Sequence, residues 1–413
     1  MASVTPILSR EDFPIFANYK KQHGERLVYL DSAATSQKPI SVIKAIEEYY
    51  SNDNANVHRG IHKLGDASTR RVQQARERIS AFFSAKPNQL IFTRNTTESL
   101  NGLAYGVEHL LDSDSEILVS EIEHHSNIVP WQQLEKRVGA TVRTILVDSE
   151  GFIQEDSLLN LLSAKTKIVA ITHVSNALGT HQEINRIVEL IRSKSKKAII
   201  VLDGAQSAPH LSVDFSKLGV DAFAFSGHKM LAPMGIGGFI LSDSLLSSLE
   251  PWFFGGGMID EVQMSSSTFA DVPDKFMPGT PDVASIVGLE EAVSVFQSLK
   301  MNAVLAHDRQ LVEYAMERLQ SLSFIEVVGP LNSANRVGSV SFLTNGVHAH
   351  DVAQVLDTSS VAVRSGHHCT MPLHKKMGWP ATTRASFSVY SGSDDVDALI
   401  EGLDRLRSVF SLK

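Results

Sequence analysis

The chain has 413 residues, 43% of them hydrophobic and 20% charged, with 46 acidic residues against 38 basic ones and a net charge of −8. That length exceeds one ordinary core, so two domains are expected, and the acidic balance argues against nucleic acid, which needs clustered Lys and Arg. No apolar run approaches the roughly 18–20 residues of a membrane span, and the single cysteine, Cys369, excludes an intrachain disulfide and a multi-thiolate metal site.

Residues 1–10 are too short and too weakly apolar for a secretory signal, and Glu11 and Asp12 follow at once. A reducing compartment is expected, either a cytoplasm or, after processing, a plastid stroma. A Ser9-x-x-Asp12 capping pattern opens a first helix that could pack on either domain. From about residue 70 the chain alternates helical and strand-like segments. Val72, Ala75, Ile79, Phe82 and Phe83 share a helical face, Leu90–Thr93 reads as a buried strand, and a helix begins near Ser99. Strands follow at Ile117–Ser120, Ile168–Thr172, Ala198–Leu202 and Ala222–Phe225, with a helix carrying Ile184, Ile187, Val188 and Ile191 between them. Short apolar strands alternating with amphipathic helices indicate an α/β fold with a mostly parallel sheet covered on both faces. The pattern loosens over 255–285, read as loop. Two long helices, four shorter strands (Phe324–Val328, Gly338–Phe342, Val361–Arg364, Arg384–Val389) and a last helix capped by Ser393 then suggest a smaller α+β domain. The expected division is 24–297 for the large domain and 1–23 with 298–413 for the small one.

Ligands of a parallel sheet bind outside the carboxyl ends of its strands, so the motifs that follow strands carry the argument. Lys229 comes straight after the strand at 222–225, where a buried amine can lose its proton and form an imine; Ser226 and His228 add short polar donors. Asp203 ends another strand, and an acid there needs a partner; the nitrogen of a pyridine ring would serve. Thr96 and Thr97 stand at a helix start, suited to phosphate, although one of them could simply cap the helix. His124 of the His124-His125 pair could stack on a planar ring and shuttle protons near neutral pH; a metal site is not expected, because the spacing gives no ligand geometry with a nearby carboxylate. Asn176 could bond a ring oxygen. Together these residues suit a phosphorylated pyridine aldehyde, pyridoxal 5'-phosphate.

Cys369 lies in Arg364-Ser-Gly-His-His-Cys-Thr-Met-Pro372, a polar stretch unlike the apolar run of a core thiol. Arg364, His367 or His368 could favour the thiolate, and the loop suggests a mobile nucleophile. Arg384 is a candidate fork for a substrate carboxylate.

On these residues the sequence resembles the group II (Suf-type) cysteine desulfurases, also called selenocysteine lyases, of the fold-type I pyridoxal-phosphate enzymes. The match runs from Tyr29-Leu-Asp-Ser-Ala-Ala34 through Asn56-Val-His-Arg-Gly-Ile-His62 to Asp394–Leu399. Its most specific pieces are Glu123–Trp131, Thr172–Thr180, Ser226-Gly-His-Lys229 and Arg364–Cys369. The resemblance implies a seven-stranded large-domain sheet, Lys229 holding the cofactor covalently, Asp203 on the pyridine nitrogen, Gln206 and Asn176 on the ring oxygen and substrate, and His124 stacked on the ring. Thr97, the Thr96 amide, Ser226 and His228 would hold the phosphate, and Thr280 would reach the phosphate of a neighbouring subunit in a homodimer. Arg384 would take the substrate carboxylate, with Arg364 near Cys369. The activity implied is conversion of L-cysteine to L-alanine with a persulfide on Cys369, passed to a SufE-like acceptor for iron-sulfur cluster assembly, and a selenocysteine lyase activity beside it. A pyridoxal-phosphate aminotransferase with Cys369 incidental, and a non-catalytic sulfur-carrier scaffold, remain as alternatives. Asn95 replaces the usual glycine of the phosphate turn, where it could alter the backbone, since Asn takes positive φ less freely. Asp282 stands where Asn is more familiar.

Overall fold

A computed structural model describes residues 3–57 and 62–411. Four residues of the Asn56–His62 stretch, 58–61, lie outside the described residues. The centre is a seven-stranded sheet formed by β1 (Leu90–Thr93), β2 (Glu116–Ser120), β3 (Thr141–Ile145), β4 (Thr166–Thr172), β5 (Ile199–Asp203), β6 (Ala222–Ser226) and β7 (Gly237–Leu241). Their spatial order is β1-β7-β6-β5-β4-β2-β3. All pairings are parallel except the two made by β7, which runs antiparallel between β1 and β6. The sequence pattern missed β3, whose face is only partly buried, and β7, which begins with two glycines.

Side-chain alternation along the strands builds two cores, one on each face. Leu90 and Phe92, Val169 and Ile171, and Phe223 and Phe225 enter one cluster; Ile91, Ile168, Ala170, Ala222 and Ala224 enter the other. The ring of Phe83 lies 4.8 Å from that of Phe225 and 5.5 Å from that of Phe223, so three buried aromatics brace the strand that leads to Lys229. Truncation of one such ring typically costs about 3–5 kcal/mol.

Residues 255–285 are not all loop: Ile259–Val262 and Ser267–Phe269 pair as an antiparallel hairpin, whose strand faces are almost wholly exposed and so gave no burial pattern to read. After the helices Val283–Leu299 and Met301–Gln320, a four-stranded antiparallel sheet runs in the order Ile325–Val328, Ser339–Thr344, Thr382–Ser386, Arg364–Gly366. It packs with the last helix, Ser393–Phe410, over a third cluster that includes Val340, Phe342, Ala385, Val396, Leu399 and Leu403. The segment expected as one strand at 361–364 is two. Val361–Ala362 pairs in parallel with Val28–Tyr29, while Arg364–Gly366 pairs with Thr382–Ser386. The last helix is capped at Gly392, with Ser393 its first residue; the Gly392 N–H donates to Asp395. The first helix, Pro14–His23, follows a short turn capped by Ser9, and Phe13 and Phe16 set their rings 4.8 and 5.5 Å from Tyr390. Arg10 adds a bond to Asp394 at 2.7 Å.

Candidate active site

The loops after β1, β2, β4, β5 and β6 converge on one cavity at the carboxyl edge of the sheet, and the segments at Ala33, Arg364–Cys369 and Arg384 complete its lining. Of the residues singled out from sequence, Thr96, Thr97, His124, Asn176, Asp203, Gln206, Ser226, His228, Lys229, Arg364, Cys369 and Arg384 all line it; Thr280 does not. The Thr280 hydroxyl instead lies 3.3 Å from Asn56, on a separate surface that includes Phe253.

Lys229 sits in a single turn directly after β6. Burial lowers its amine to about 8, with Arg384 and Arg364 pushing the same way and Asp203 opposing. Burial likewise raises the Asp203 carboxyl above its ordinary range, against a hydrogen bond from the Ala205 N–H at 2.9 Å and the Lys229 charge. The backbone before Lys229 is pinned: the His228 carbonyl accepts from the Ser36 N–H at 3.0 Å, the Ser36 hydroxyl at 3.0 Å and Lys38 Nζ at 2.9 Å.

At the helix start the structure corrects the sequence reading. The helix begins at Thr96, not near Ser99, and its cap is Asn95 rather than a threonine; Asn95 Oδ1 accepts the Glu98 N–H at 3.0 Å. Asn95 has φ −178°, extended backbone open to any residue, so the replacement of glycine puts no strain on the turn. The Thr96 N–H donates to the Ser226 hydroxyl at 2.9 Å and is therefore engaged by protein. Both threonine side chains remain at the cavity, Thr97 with its hydroxyl 2.7 Å from that of Ser126. Asp282, the second departure, caps its own helix through the Ser285 N–H at 3.0 Å.

His124 is neutral near pH 7. Burial and then the Lys229 charge lower it to about 3, and its Nδ1 accepts the Ser126 N–H at 3.1 Å, which leaves the proton on Nε2. Behind it stands a group that sequence reasoning missed. Glu123 is fully buried, with Oε2 accepting from Asn127 Nδ2 at 2.7 Å and Oε1 from the Thr172 N–H at 2.8 Å and from the Ser120 hydroxyl. Trp131 Nε1 donates to Asn127 Oδ1 at 3.0 Å and so fixes the amide's orientation. Burial still raises Glu123 to about 8, with Asp203 adding to the shift. An acid ending so close to a strand was the available signal, the same one that marked Asp203.

The cysteine loop is also corrected. His368 and Cys369 both have left-handed backbone, at φ 50° and 59°, a conformation that costs a non-glycine residue about 1–2 kcal/mol. It is held by Asn176 Nδ2 donating to the His368 carbonyl at 2.6 Å and the His125 N–H donating to the Cys369 carbonyl at 2.8 Å. The loop is thus held by Asn176 and His125 rather than free. His368 is buried and lowered to about 2, so it adds no positive charge beside the thiol; Arg384 and Lys229 supply that charge. Cys369 itself is exposed and faces both the cavity and the surface.

Arg384 is 2% exposed. Its Nη1 donates to the Asn176 carbonyl at 2.6 Å and its Nη2 to Asp31 Oδ1 at 3.1 Å, while its Nε is buried without a partner. The sequence pattern alone indicates no role for Asp31. Among the described residues no cluster of His, Cys, Asp or Glu could hold a metal ion, and no helix is long and apolar enough to cross a membrane.

The family profile described as class-V aminotransferase matches residues 28–399. A "probable cysteine desulfurase" of Staphylococcus epidermidis is 45% identical over 97% of this chain and 96% of its own. The apo cysteine desulfurase of Thermococcus onnurineus superposes with a TM-score of 0.91 at 35% identity, over 96% of each chain. The cysteine desulfurase CsdA (S-sulfonic acid) of Escherichia coli gives 0.88 at 32%, over 97% of this chain and 98% of the other.

Proposed function

The chain belongs to the class-V aminotransferase family, among its cysteine desulfurases, and on that footing we propose that it takes sulfur from L-cysteine onto Cys369 and releases L-alanine. The observation that carries the proposal is one cavity shared by an amine of lowered pKa, Lys229, and an exposed thiol, Cys369. The residues present fit pyridoxal 5'-phosphate. Asp203 is 4% exposed and forms no ion pair among the described residues, which suits a cationic ring nitrogen. The first turn of a helix with the Thr97 hydroxyl, Ser226 and His228 suits a phosphate.

When bound, the cofactor supplies an aldehyde for the substrate amine and a ring that spreads the charge left on the α-carbon. Lys229 would hold it and, once released, take the α-proton, which an amine near pH 8 does without strong driving force. Gln206 and Asn176 would contact the ring oxygen, His124 would cover the ring as a neutral donor through Nε2, and Arg384 would bind the substrate carboxylate. The Cys369 thiolate would then attack the substrate sulfur. The new bond is S–S, the C–S bond breaks with its electron pair left on carbon, and protonation of that carbon gives alanine.

We further propose a homodimer in which Thr280 of each copy completes the other's phosphate site; its place outside the cavity, on a surface with the exposed Phe253, supports this. The exposed Cys369 supports transfer to a SufE-like acceptor, for iron-sulfur cluster assembly, and a selenocysteine lyase activity would use the same site. The separate cluster around Phe342 and Leu403 supports a smaller unit within 298–413, but Val28 and Leu30 pack into it while Phe13 packs with the large sheet, so it does not support the boundary between 1–23 and 24–297. A reducing compartment, cytoplasm or plastid stroma, fits the lone thiol. Absorbance with and without L-cysteine, read together with alanine release, tests the proposal: a visible band that shifts, with alanine formed, is expected. A band with no alanine would move the protein to another reaction of the family.

A further inference from the structure

The left-handed turn at His368 and Cys369 has a further hold, on the ring of His368, and each proton in it has one possible place. His374, in the helix Met371–Met377, sets its Nδ1 3.1 Å from the Thr370 carbonyl. A carbonyl only accepts, so that nitrogen carries the proton. The Thr370 hydroxyl, 3.2 Å from the same nitrogen, gives its own hydrogen to the His367 carbonyl and accepts as well. Burial keeps the His374 ring neutral, so its Nε2 is bare. The Thr382 hydroxyl, 3.1 Å away, therefore donates to it. Having given up its one hydrogen, that hydroxyl can only accept from His368 Nε2, at 2.9 Å. His368 is thus protonated on Nε2, and its bare Nδ1 ends the chain, buried without a partner.

All three side chains are buried, and Thr382 is a rigid anchor because its strand pairs with Gly366 across the small sheet. On the other side of the thiol the His125 ring accepts the Met371 N–H at 3.1 Å. We propose that Thr382 is a positioning residue for Cys369. It acts through His368, whose ring it fixes, and so keeps the adjoining thiol turned to the cavity. Without it, only the bonds to the two backbone carbonyls would oppose the strain of two consecutive left-handed residues. His374 sets the direction of the chain, since it takes the hydrogen that Thr382 would otherwise point at His368. The inference rests on Cys369 as the sulfur acceptor of the desulfurase proposal and deepens it by naming what aims the thiol.

The test compares Thr382→Val, which keeps the branched shape and removes the hydroxyl, with Thr382→Ser, which keeps the hydroxyl. In the cofactor-loaded protein, the L-cysteine concentration that half-saturates the change in the visible band should stay within about twofold of wild type in both, since no group proposed to touch the substrate is altered. The rate at which sulfur appears on Cys369, read by rapid-quench intact mass, should fall roughly tenfold in Thr382→Val, the scale of one buried hydrogen bond. Thr382→Ser should restore it. A merely structural role would move half-saturation and rate together. A wild-type rate in Thr382→Val, or a loss that Thr382→Ser does not repair, overturns the proposal. Should Thr382→Val not fold, the wild type decides by nuclear magnetic resonance of isotope-labelled histidine in the cofactor-loaded protein. The His368 ring signals, identified by their loss in His368→Gln, should show a protonated Nε2 and a bare Nδ1; the opposite tautomer overturns the proposal. A wild type that gains no sulfur on Cys369 would be a failure of the desulfurase reading, and the tautomer measurement separates it from a failure of this one.

Discussion

The Ser226 hydroxyl lies 2.9 Å from the Thr96 nitrogen and 2.7 Å from the Thr96 Oγ1, joining the last residue of the strand that leads to Lys229 to the first residue of the helix proposed to face the phosphate. Two strand ends that are far apart in sequence are thereby held as one rigid rim. Ser226→Ala leaves a buried N–H and a buried hydroxyl short of a partner, at a cost of about 1–3 kcal/mol. Affinity for pyridoxal phosphate, followed by absorbance titration, is expected to fall about tenfold or more for a loss of that size. Unchanged affinity would detach this rim from cofactor binding.

Lys229→Met is expected to abolish turnover and, in the cofactor-free protein, to raise stability. The folded amine is lowered from 10.5 to about 8, so below pH 8 the fold carries a buried charge that the unfolded chain keeps in water. Between pH 8 and 10.5 the unfolded chain binds the extra proton, and wild-type stability rises with pH. Urea unfolding should therefore find Lys229→Met more stable than wild type by ~1–3 kcal/mol at pH 7, with the gap closing as pH approaches 10.5. A gap independent of pH would contradict this origin.

Asn127→Ala removes one of the three donors to the buried Glu123 carboxyl and leaves Trp131 Nε1 unpaired. The expected loss is about 2–4 kcal/mol, read by urea or thermal unfolding. Because the affected groups lie immediately behind His124 and Thr172, cofactor affinity should fall with it. A loss below about 0.5 kcal/mol, the range of an inert surface change, would mean that Glu123 does not depend on this network.

Much of the architecture could be read in the chain because burial imposes a pattern. Strands such as Leu90–Thr93 and Ala222–Ser226 are apolar on both faces, and the residues that follow them are polar for reasons of chemistry, so Asp203, Lys229 and Thr97 stood out. What escaped was set by partners distant in sequence. The cap at the phosphate turn went to Asn95 because its side chain reaches Glu98 from an extended backbone. The neutrality of His124 and His368 follows from burial by segments that are remote in the chain. The exposed hairpin at 259–269 carried no burial pattern, and the half-buried strand Thr141–Ile145 carried little. The bond from Arg384 to Asp31 joins residues 353 apart in the chain and left no trace in the sequence pattern.

The most direct measurement of the central proposal is the intact mass of the cofactor-loaded protein after one turnover of L-cysteine without an acceptor, with alanine quantified in the same sample. The expected result is one added sulfur on the wild type, lost on reduction, with matching alanine, and neither in Cys369→Ser. Alanine formed at the wild-type rate by Cys369→Ser, or a wild type that releases alanine and gains no sulfur, would contradict the assignment of Cys369 as the sulfur acceptor.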